Sequence, residues 1–355
     1  MIPMPGASHA GPLPPLSPDQ ESLRDRLATH VHVLASEIGE RNNRTYGALQ
    51  RAATFVEDEL AAVGYTVTPQ YYDVGGRPFH NMEVVLPGVQ RPDEIIVVGG
   101  HYDSAEGTPG ANDNASGTAA LLELARLLHQ EQFARTIRFV AFVNEEPPYF
   151  NTEGMGSWQY AARAAERGER VVAMVSLETV GYFRTEPESQ RYPPLFDLFY
   201  PDRGDFIAFV GNLASRSLVR RAIAVFRRTT RFPSQGVAAP PQVPGVTWSC
   251  HSAFWIHGFK AIMITDTAPF RYPHYHQLTD TVDRLDYERM ARVVEGVAEV
   301  IRHLAGPVER SQAQSTQHGP RWHPNAGSTS SVREPEGLAP RYRRSMSASE
   351  APRWR

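Results

Sequence analysis

Residues 93–104 read DEIIVVGGHYDS. The short apolar run Ile95–Val98, without polar alternation, suits a strand buried on both faces. It leads through Gly99 and Gly100 to His101 and Asp103, so an apolar strand ends in polar chemistry. The same form recurs three times. The run TIRFVAFV, 136–143, ends in Asn144-Glu145-Glu146, and VVAMVS, 171–176, ends in Leu177-Glu178. KAIMITDT, 260–267, is followed by His274-Tyr275-His276. Further strands are expected over 65–74, 79–88 and 205–212. Helical spacing occupies 17–35, 46–64, 117–130, 155–168, 218–228 and 286–304. Ser17 is placed to cap the first of these helices and Gly64 to close the second. Strands alternating with helices imply an α/β fold: a mostly parallel sheet with helices on both faces. In such sheets the functional site lies beyond the carboxyl ends of the strands.

The chain has 355 residues, 41% hydrophobic and 21% charged, which is enough apolar mass for one large α/β domain or two smaller ones. The alternating pattern runs through the body without a break, so a single large domain over 19–305 is expected. Residues 1–18 are rich in Pro, Gly and Ser and are expected to be disordered. From 306 to 355 the composition turns to Ser, Pro, Gln and Arg. Eight Arg stand against four Glu over 307–355, a net +4 that leaves −7 for the rest of a chain whose total is −3. A tail with so little to bury is expected to be disordered and solvated.

That near-neutral balance gives no general attraction to nucleic acid. No apolar run reaches the roughly 20 residues of a membrane span. The amino terminus shows no basic segment followed by an apolar one, so a cytoplasmic location is expected. The single cysteine, Cys250, excludes an intrachain disulfide and a Cys-rich zinc site.

Four strand ends thus bring His101, Asp103, Glu145, Glu146, Glu178 and His276 to one edge of the sheet. The loop GANDNASG, 110–117, adds Asp113. Each has an ordinary reading alone. His101 could be a strand-end histidine, Asp113 a helix cap, Glu145-Glu146 an exposed acidic pair, and His276 a surface residue. Together they crowd carboxylates in a way that is unfavourable without a cation. His plus carboxylate, without thiolate, suits zinc or a similar divalent ion. His101-x-Asp103 fits a ligand with its orienting carboxylate. Adjacent acids at a strand end point apart, so one of Glu145 and Glu146 can bind metal while the other faces a substrate water.

HYDS, GANDNASG, NEE, LETVG and PHYHQLTDT, in this order, resemble the co-catalytic zinc aminopeptidases of metallopeptidase family twenty-eight. The resemblance covers roughly 30–305. It implies two zinc ions: His101 and Glu178 on one, Glu146 and His276 on the other, and Asp113 bridging both. It implies Glu145 as general base and acid, Asp103 as the orienter of His101, and Tyr275 as a donor to the oxyanion. The implied substrates are peptides with a free N-terminus. Two positions depart from the family's commonest text. Glu178 stands where many members have Asp, and Ser249-Cys250-His251 stands where Ser-Asp-His is frequent. Ile256 likewise replaces a frequent Asp.

Other marked residues have plain expectations. Cys250 is read as a buried structural cysteine, and His129 as a solvated helix-end residue. Arg216–Arg228 is read as a solvent-facing helix side. Tyr149, Phe150 and Trp158 either wall a substrate pocket or pack the following helix. The alternatives to an aminopeptidase are a one-zinc glutaminyl cyclase, a carboxypeptidase or dipeptidase relative, and a non-catalytic module on the same scaffold.

Overall fold

The computed structural model of the chain describes residues 3–308. One sheet holds β1 (Thr68–Val74), β2 (Arg77–Leu86), β3 (Arg91–His101), β4 (Arg135–Phe142), β5 (Arg170–Glu178), β6 (Ile207–Gly211), β7 (Ser234–Ala238) and β8 (Ala261–Thr265). Their order is β1-β2-β4-β3-β5-β8-β6-β7. The central strands β4, β3, β5 and β8 run parallel. The hairpin β1–β2 joins one side antiparallel to β4, and the parallel pair β6–β7 joins the other side antiparallel to β8. The expected α/β architecture is therefore observed, and the four strands flagged by their polar ends are the four that run together.

The helices are α1 (Pro18–His32), α2 (Tyr46–Val63), α3 (Gly117–Leu128), α4 (Gly156–Glu166), α5 (Arg216–Thr229), α6 (His251–Ile256), α7 (Ala268–Arg271) and α8 (Tyr287–Ala305). α1 opens on a reciprocal cap: Ser17 Oγ accepts from the Gln20 N–H at 3.2 Å, and Gln20 Oε1 accepts from the Ser17 N–H at 3.0 Å. α2 stops at Gly64, whose φ of 109° suits only glycine. β3 shows why its sequence lacks alternation. Ile96 and Val98 pack with α1, α2, α3, α5 and α8, whereas Ile95 and Val97 pack with α4 and α6 on the other face. Burying each such side chain contributes on the order of 2 kcal/mol.

The sequence reading contains neither β7 nor the short helices α6 and α7. β7 is five residues with a central glycine, and α7 is a single turn, so neither carries a usable period. Residues 3–16, expected as a disordered segment, form no helix or strand but lie along the body. Arg227 Nη1 donates to the carbonyls of Pro5 (3.1 Å) and Gly6 (2.9 Å), and the Ser234 N–H donates to Ser8 Oγ (2.9 Å). Met4 and Leu13 pack on the main core. These contacts also use Arg227 from the helix side read as solvent-facing; Arg216, Arg221 and Arg228 remain exposed. The expected disordered tail over 306–355 falls outside the described residues beyond 308. Among the described residues, no helix is long and apolar enough to cross a membrane.

Candidate metal centre

All eight residues singled out from the sequence meet at the carboxyl edge of the four parallel strands. His101 ends β3, Glu145 and Glu146 follow β4, and Glu178 ends β5. Asp113 comes from the loop before α3, and Tyr275 and His276 from the turn after α7. Three of the turns pass through the left-handed region at residues other than glycine: Asn144 (φ 59°), Thr179 (φ 47°) and His276 (φ 56°). Such positions are uncommon and cluster at functional sites.

Asp113 stands between the two histidines. Its Oδ1 is 3.4 Å from His101 Nε2, and its Oδ2 is 3.1 Å from His276 Nε2. Glu178 Oε2 is 3.4 Å from His101 Nε2, and Glu146 Oε2 is 3.3 Å from His276 Nε2. Glu145 Oε2 lies farther off, 3.8 Å from His101 Nε2. Three ligand-type sets result, His101/Asp113/Glu178, Asp113/Glu146/His276 and His101/Glu145/Glu146, each with donor atoms within 4.8 Å of one another; the first two share Asp113. His101 Nε2, His276 Nε2 and Glu146 Oε1 are buried without a hydrogen-bond partner. Atoms placed tetrahedrally around zinc at about 2.0–2.1 Å stand about 3.3 Å from each other. The spacing, the unpartnered nitrogens and the mixed His/carboxylate donors therefore fit divalent-ion binding.

The electrostatics point the same way. Burial pushes the Glu145 carboxyl well up, helped by Glu178, Glu146 and Asp113. Burial and the Asp113 carboxylate push Glu146 up to about 7, and burial also raises Glu178. For Asp113, burial is outweighed by His101 and His276, which hold it below the usual carboxylate range. Burial alone would lower both imidazoliums. Glu145 and Glu178 instead raise His101, and Asp113 and Glu146 raise His276 to about 11. Four buried carboxylates and two histidines thus compete for protons that a divalent cation would replace.

Asp103 contacts more than the imidazole. His101 Nδ1 lies 3.2 Å from the Asp103 carbonyl oxygen and 3.4 Å from Oδ1, so the nearer partner is the main chain. The Asp103 carboxylate accepts from the N–H groups of Glu145 (3.2 Å) and Glu146 (3.1 Å) and so sets the acidic turn. Tyr275 stacks on His276, with ring centroids 3.9 Å apart and planes 18° from parallel.

Several supporting residues escaped the sequence reading. Asn114 Nδ2 donates to the Leu177 carbonyl at 2.9 Å, and its Oδ1 accepts from the N–H groups of Gly117 and Thr179. Asn112 links Gly181 to Asp266. Asp280 accepts from the N–H groups of Asn112 (2.8 Å) and Asp113 (3.1 Å) and from the Tyr272 hydroxyl (2.7 Å). Ser249 Oγ donates to Glu178 Oε2 at 2.7 Å. Arg41 is fully buried and donates to the carbonyls of Leu34, Gly39, Tyr102, Pro109 and Gly110, bracing the loop after His101. Asn112, Asn114 and Asp280 lie inside quoted motifs. Arg41 lies in ERNNRTYG, which has no pattern to flag it.

Other marked residues settle as packing. Cys250 is fully buried, and burial raises its thiol pKa well above the ordinary value. His251 is buried, burial lowers it to about 4, and its Nε2 contacts the Val246 carbonyl. Phe150 and Trp158 pack with α4 and α6, and Tyr149 packs on the main core, so all three serve packing. His129 is not simply solvated: it is half-buried, its ring edge-on to Tyr65 at 4.5 Å.

Beside the centre opens a mostly apolar cavity of about 90 Å³. Glu178 and Tyr275 form its edge nearest the metal ligands. Phe196, Phe206, Trp248 and Phe270 are among its apolar walls.

The family model described as "Peptidase family M28" matches residues 81–301. The uncharacterized protein YfbL of Escherichia coli (strain K12) is 39% identical over 282 residues, covering 77% of this chain and 86% of that protein. Leucine aminopeptidase 1 of Arthroderma otae is 26% identical over 240 residues, covering 64% of this chain and 58% of that protein. Among solved structures, BSAP, a zinc aminopeptidase from Bacillus subtilis, has a TM-score of 0.64 at 15% identity, over 82% of this chain and 97% of that one. A glutaminyl cyclase from Fimbriiglobus ruber has a TM-score of 0.59 at 19% identity, over 83% and 97%. At these identities the two structures share the fold.

Proposed function

The chain belongs to peptidase family M28, and from that premise we propose that it is a two-zinc aminopeptidase acting on peptides with a free, apolar N-terminal residue. The observation that carries this reading is Asp113, whose two oxygens face two different histidines, each with a second carboxylate beside it. His101 and Glu178 would hold one ion, Glu146 and His276 the other, with Asp113 shared. The ions would supply Lewis acidity for the scissile carbonyl and acidify the attacking water.

Glu145 also falls in a ligand-type set with His101 and Glu146, but at 3.8 Å it stands farther from His101 Nε2 than Asp113 or Glu178 does, which suits the general base better than a ligand. It takes a proton from the water as the oxygen–carbon bond forms at the scissile carbonyl. It returns that proton to the leaving amine nitrogen as the carbon–nitrogen bond breaks. Tyr275, whose hydroxyl has no hydrogen-bond partner among the described residues, donates to the tetrahedral oxyanion. The cluster of carboxylates attracts the substrate's α-ammonium group, which favours chain ends over internal bonds. The apolar cavity beside Glu178 accepts the first side chain.

The shared aspartate favours this hydrolase over one-zinc cyclisation of N-terminal Gln, because the second ligand set has no task in the latter. The test is Glu145→Gln in zinc-loaded protein, assayed on leucyl peptides with metal content measured in parallel. Zinc binding retained with turnover down by roughly 10²–10⁴-fold is expected. Near-normal turnover with full metal would remove Glu145 from the mechanism.

A further inference from the structure

Between β5 and β6 the chain makes an excursion, 183–205, that contains no helix or strand. It is long for a connection within a compact domain, which marks it for function. Its Tyr192, Pro193, Phe196 and Tyr200 form one side of the cavity beside the metal centre. The opposite side comes from the body: Phe206, Met263 and the loop bearing Trp248. The cavity therefore has its size only while the excursion is held in place.

The Tyr200 hydroxyl donates to the Gly236 carbonyl at 2.9 Å and Thr267 Oγ1 to Gln190 Oε1 at 3.2 Å, but one side chain joins the excursion's two ends to its middle. Arg271, the last residue of α7, is buried and reaches the excursion at both ends and in the middle. Its Nη1 donates to the carbonyls of Tyr182 (3.3 Å) and Phe206 (2.9 Å), the residues that flank the excursion. Its Nε donates to Gln190 Oε1 at 2.8 Å. The guanidinium lies over the Phe206 ring at 4.5 Å and the Phe183 ring at 5.9 Å. Gly204 lets the stem pass: a Cβ there would come within 2.8 Å of Arg271 Nε. The neighbouring backbone adds the Arg191 N–H to the Phe270 carbonyl at 2.9 Å. No carboxylate among the described residues pairs with this guanidinium within 4 Å. Burial lowers its pKa to about 10, with Asp266 and Asp205 favouring the charge from beyond ion-pair distance, so the carbonyl and amide acceptors are its direct partners.

We propose that Arg271 is a specificity-positioning residue: it clasps the 183–205 excursion into a fixed wall and thereby tunes the cavity to large apolar N-terminal side chains. Its place five residues before His276 ties that wall to the loop carrying a metal-ligand candidate. Lysine cannot reproduce this clasp, because three acceptors lying in different directions require the planar fork. This inference rests on the aminopeptidase reading for its substrate, but the clasp itself is tested separately.

The experiment compares wild type with Arg271→Lys and the milder Gln190→Ala, each zinc-loaded and checked for metal content. Leucine and alanine p-nitroanilides are the substrates. In the variants KM for the leucine substrate should rise about tenfold, with kcat within about threefold and the preference for leucine over alanine reduced. A second arm needs no activity. Leu195, Leu198 and Phe199 on the excursion are 70%, 71% and 63% exposed, and chymotrypsin cuts at such residues. Cleavage within 195–199 should accelerate about tenfold or more in Arg271→Lys as the wall loosens. If wild type hydrolyses neither substrate while cleavage accelerates, the aminopeptidase reading fails and the clasp stands. An unchanged cleavage rate in folded Arg271→Lys, or an unchanged leucine-to-alanine preference in active variants, overturns the proposal.

Discussion

Asp280 shows how much of this centre rests on residues that touch no substrate. Its two oxygens accept the N–H groups of Asn112 and Asp113, so it fixes the backbone from which the shared carboxylate projects. Burial raises its own carboxyl to about 6, against the stabilising donors from Asn112 and Tyr272. Asp280→Asn replaces one acceptor oxygen with an NH₂ group that faces an N–H. A loss of about 1–3 kcal/mol in stability is expected, with weaker zinc binding, read by denaturant titration with and without zinc. An unchanged midpoint and zinc affinity would show that the Asp113 loop holds itself. The ligand-type residues were legible because each ends an apolar strand or sits in a glycine-flanked loop. Asp280 was not, because an aspartate in a polar turn has an ordinary solvated reading. Its value comes from Asn112, 168 residues away in sequence. Arg41 was hidden for the same reason, its partners being backbone carbonyls that leave no trace in composition.

Among the elements, the four central strands were legible and the sheet's far side was not. β3, β4, β5 and β8 are apolar on both faces and end in polar residues, so direction and function could be read together. β6 looks the same in sequence, but it runs antiparallel to β8 and brings no ligand to the metal edge. Its direction depends on the long excursion before it, which carries no period. The loop-to-helix junction at Gly117 is a tight joint between elements that carry candidate ligands. A Cβ there would meet Asn114 Oδ1 at 2.3 Å and the Leu177 carbonyl oxygen at 2.5 Å. Gly117→Ala should force Asn114 from its bonds to β5 and cost about 1–3 kcal/mol or more, with zinc binding impaired. Thermal unfolding of the zinc-loaded variant measures this, and a melting temperature equal to wild type would contradict the assignment of Asn114 as the stitch.

For the whole molecule, stability and metal binding are one equilibrium. In metal-free protein Glu146 has its pKa raised to about 7, and Glu145 and Glu178 are raised too. A carboxyl raised above its unfolded value keeps its proton in the fold while the unfolded chain has already lost its own. That contribution is lost as pH climbs from about 4.5 towards 7. His276, raised to about 11, contributes fully below about 6.5 and progressively less above it, with the same sign. The chelated protein should therefore melt lower as pH rises from 5 to 8. Zinc binding needs deprotonated ligands, so the zinc-loaded protein should gain relative to it over the same range. Calorimetry at several pH values should show the gap widening, and a constant gap would mean that the carboxylates do not hold the metal.

The central claim is most directly tested by mass spectrometry of peptides incubated with zinc-loaded protein and with a chelated control. The set contains free and blocked N-termini, and one peptide begins with Gln. Stepwise loss of residues from free N-termini only, abolished by the chelator, is the expected result. Loss of ammonia from the Gln peptide alone, with every other peptide intact, would contradict it and assign this site to cyclisation.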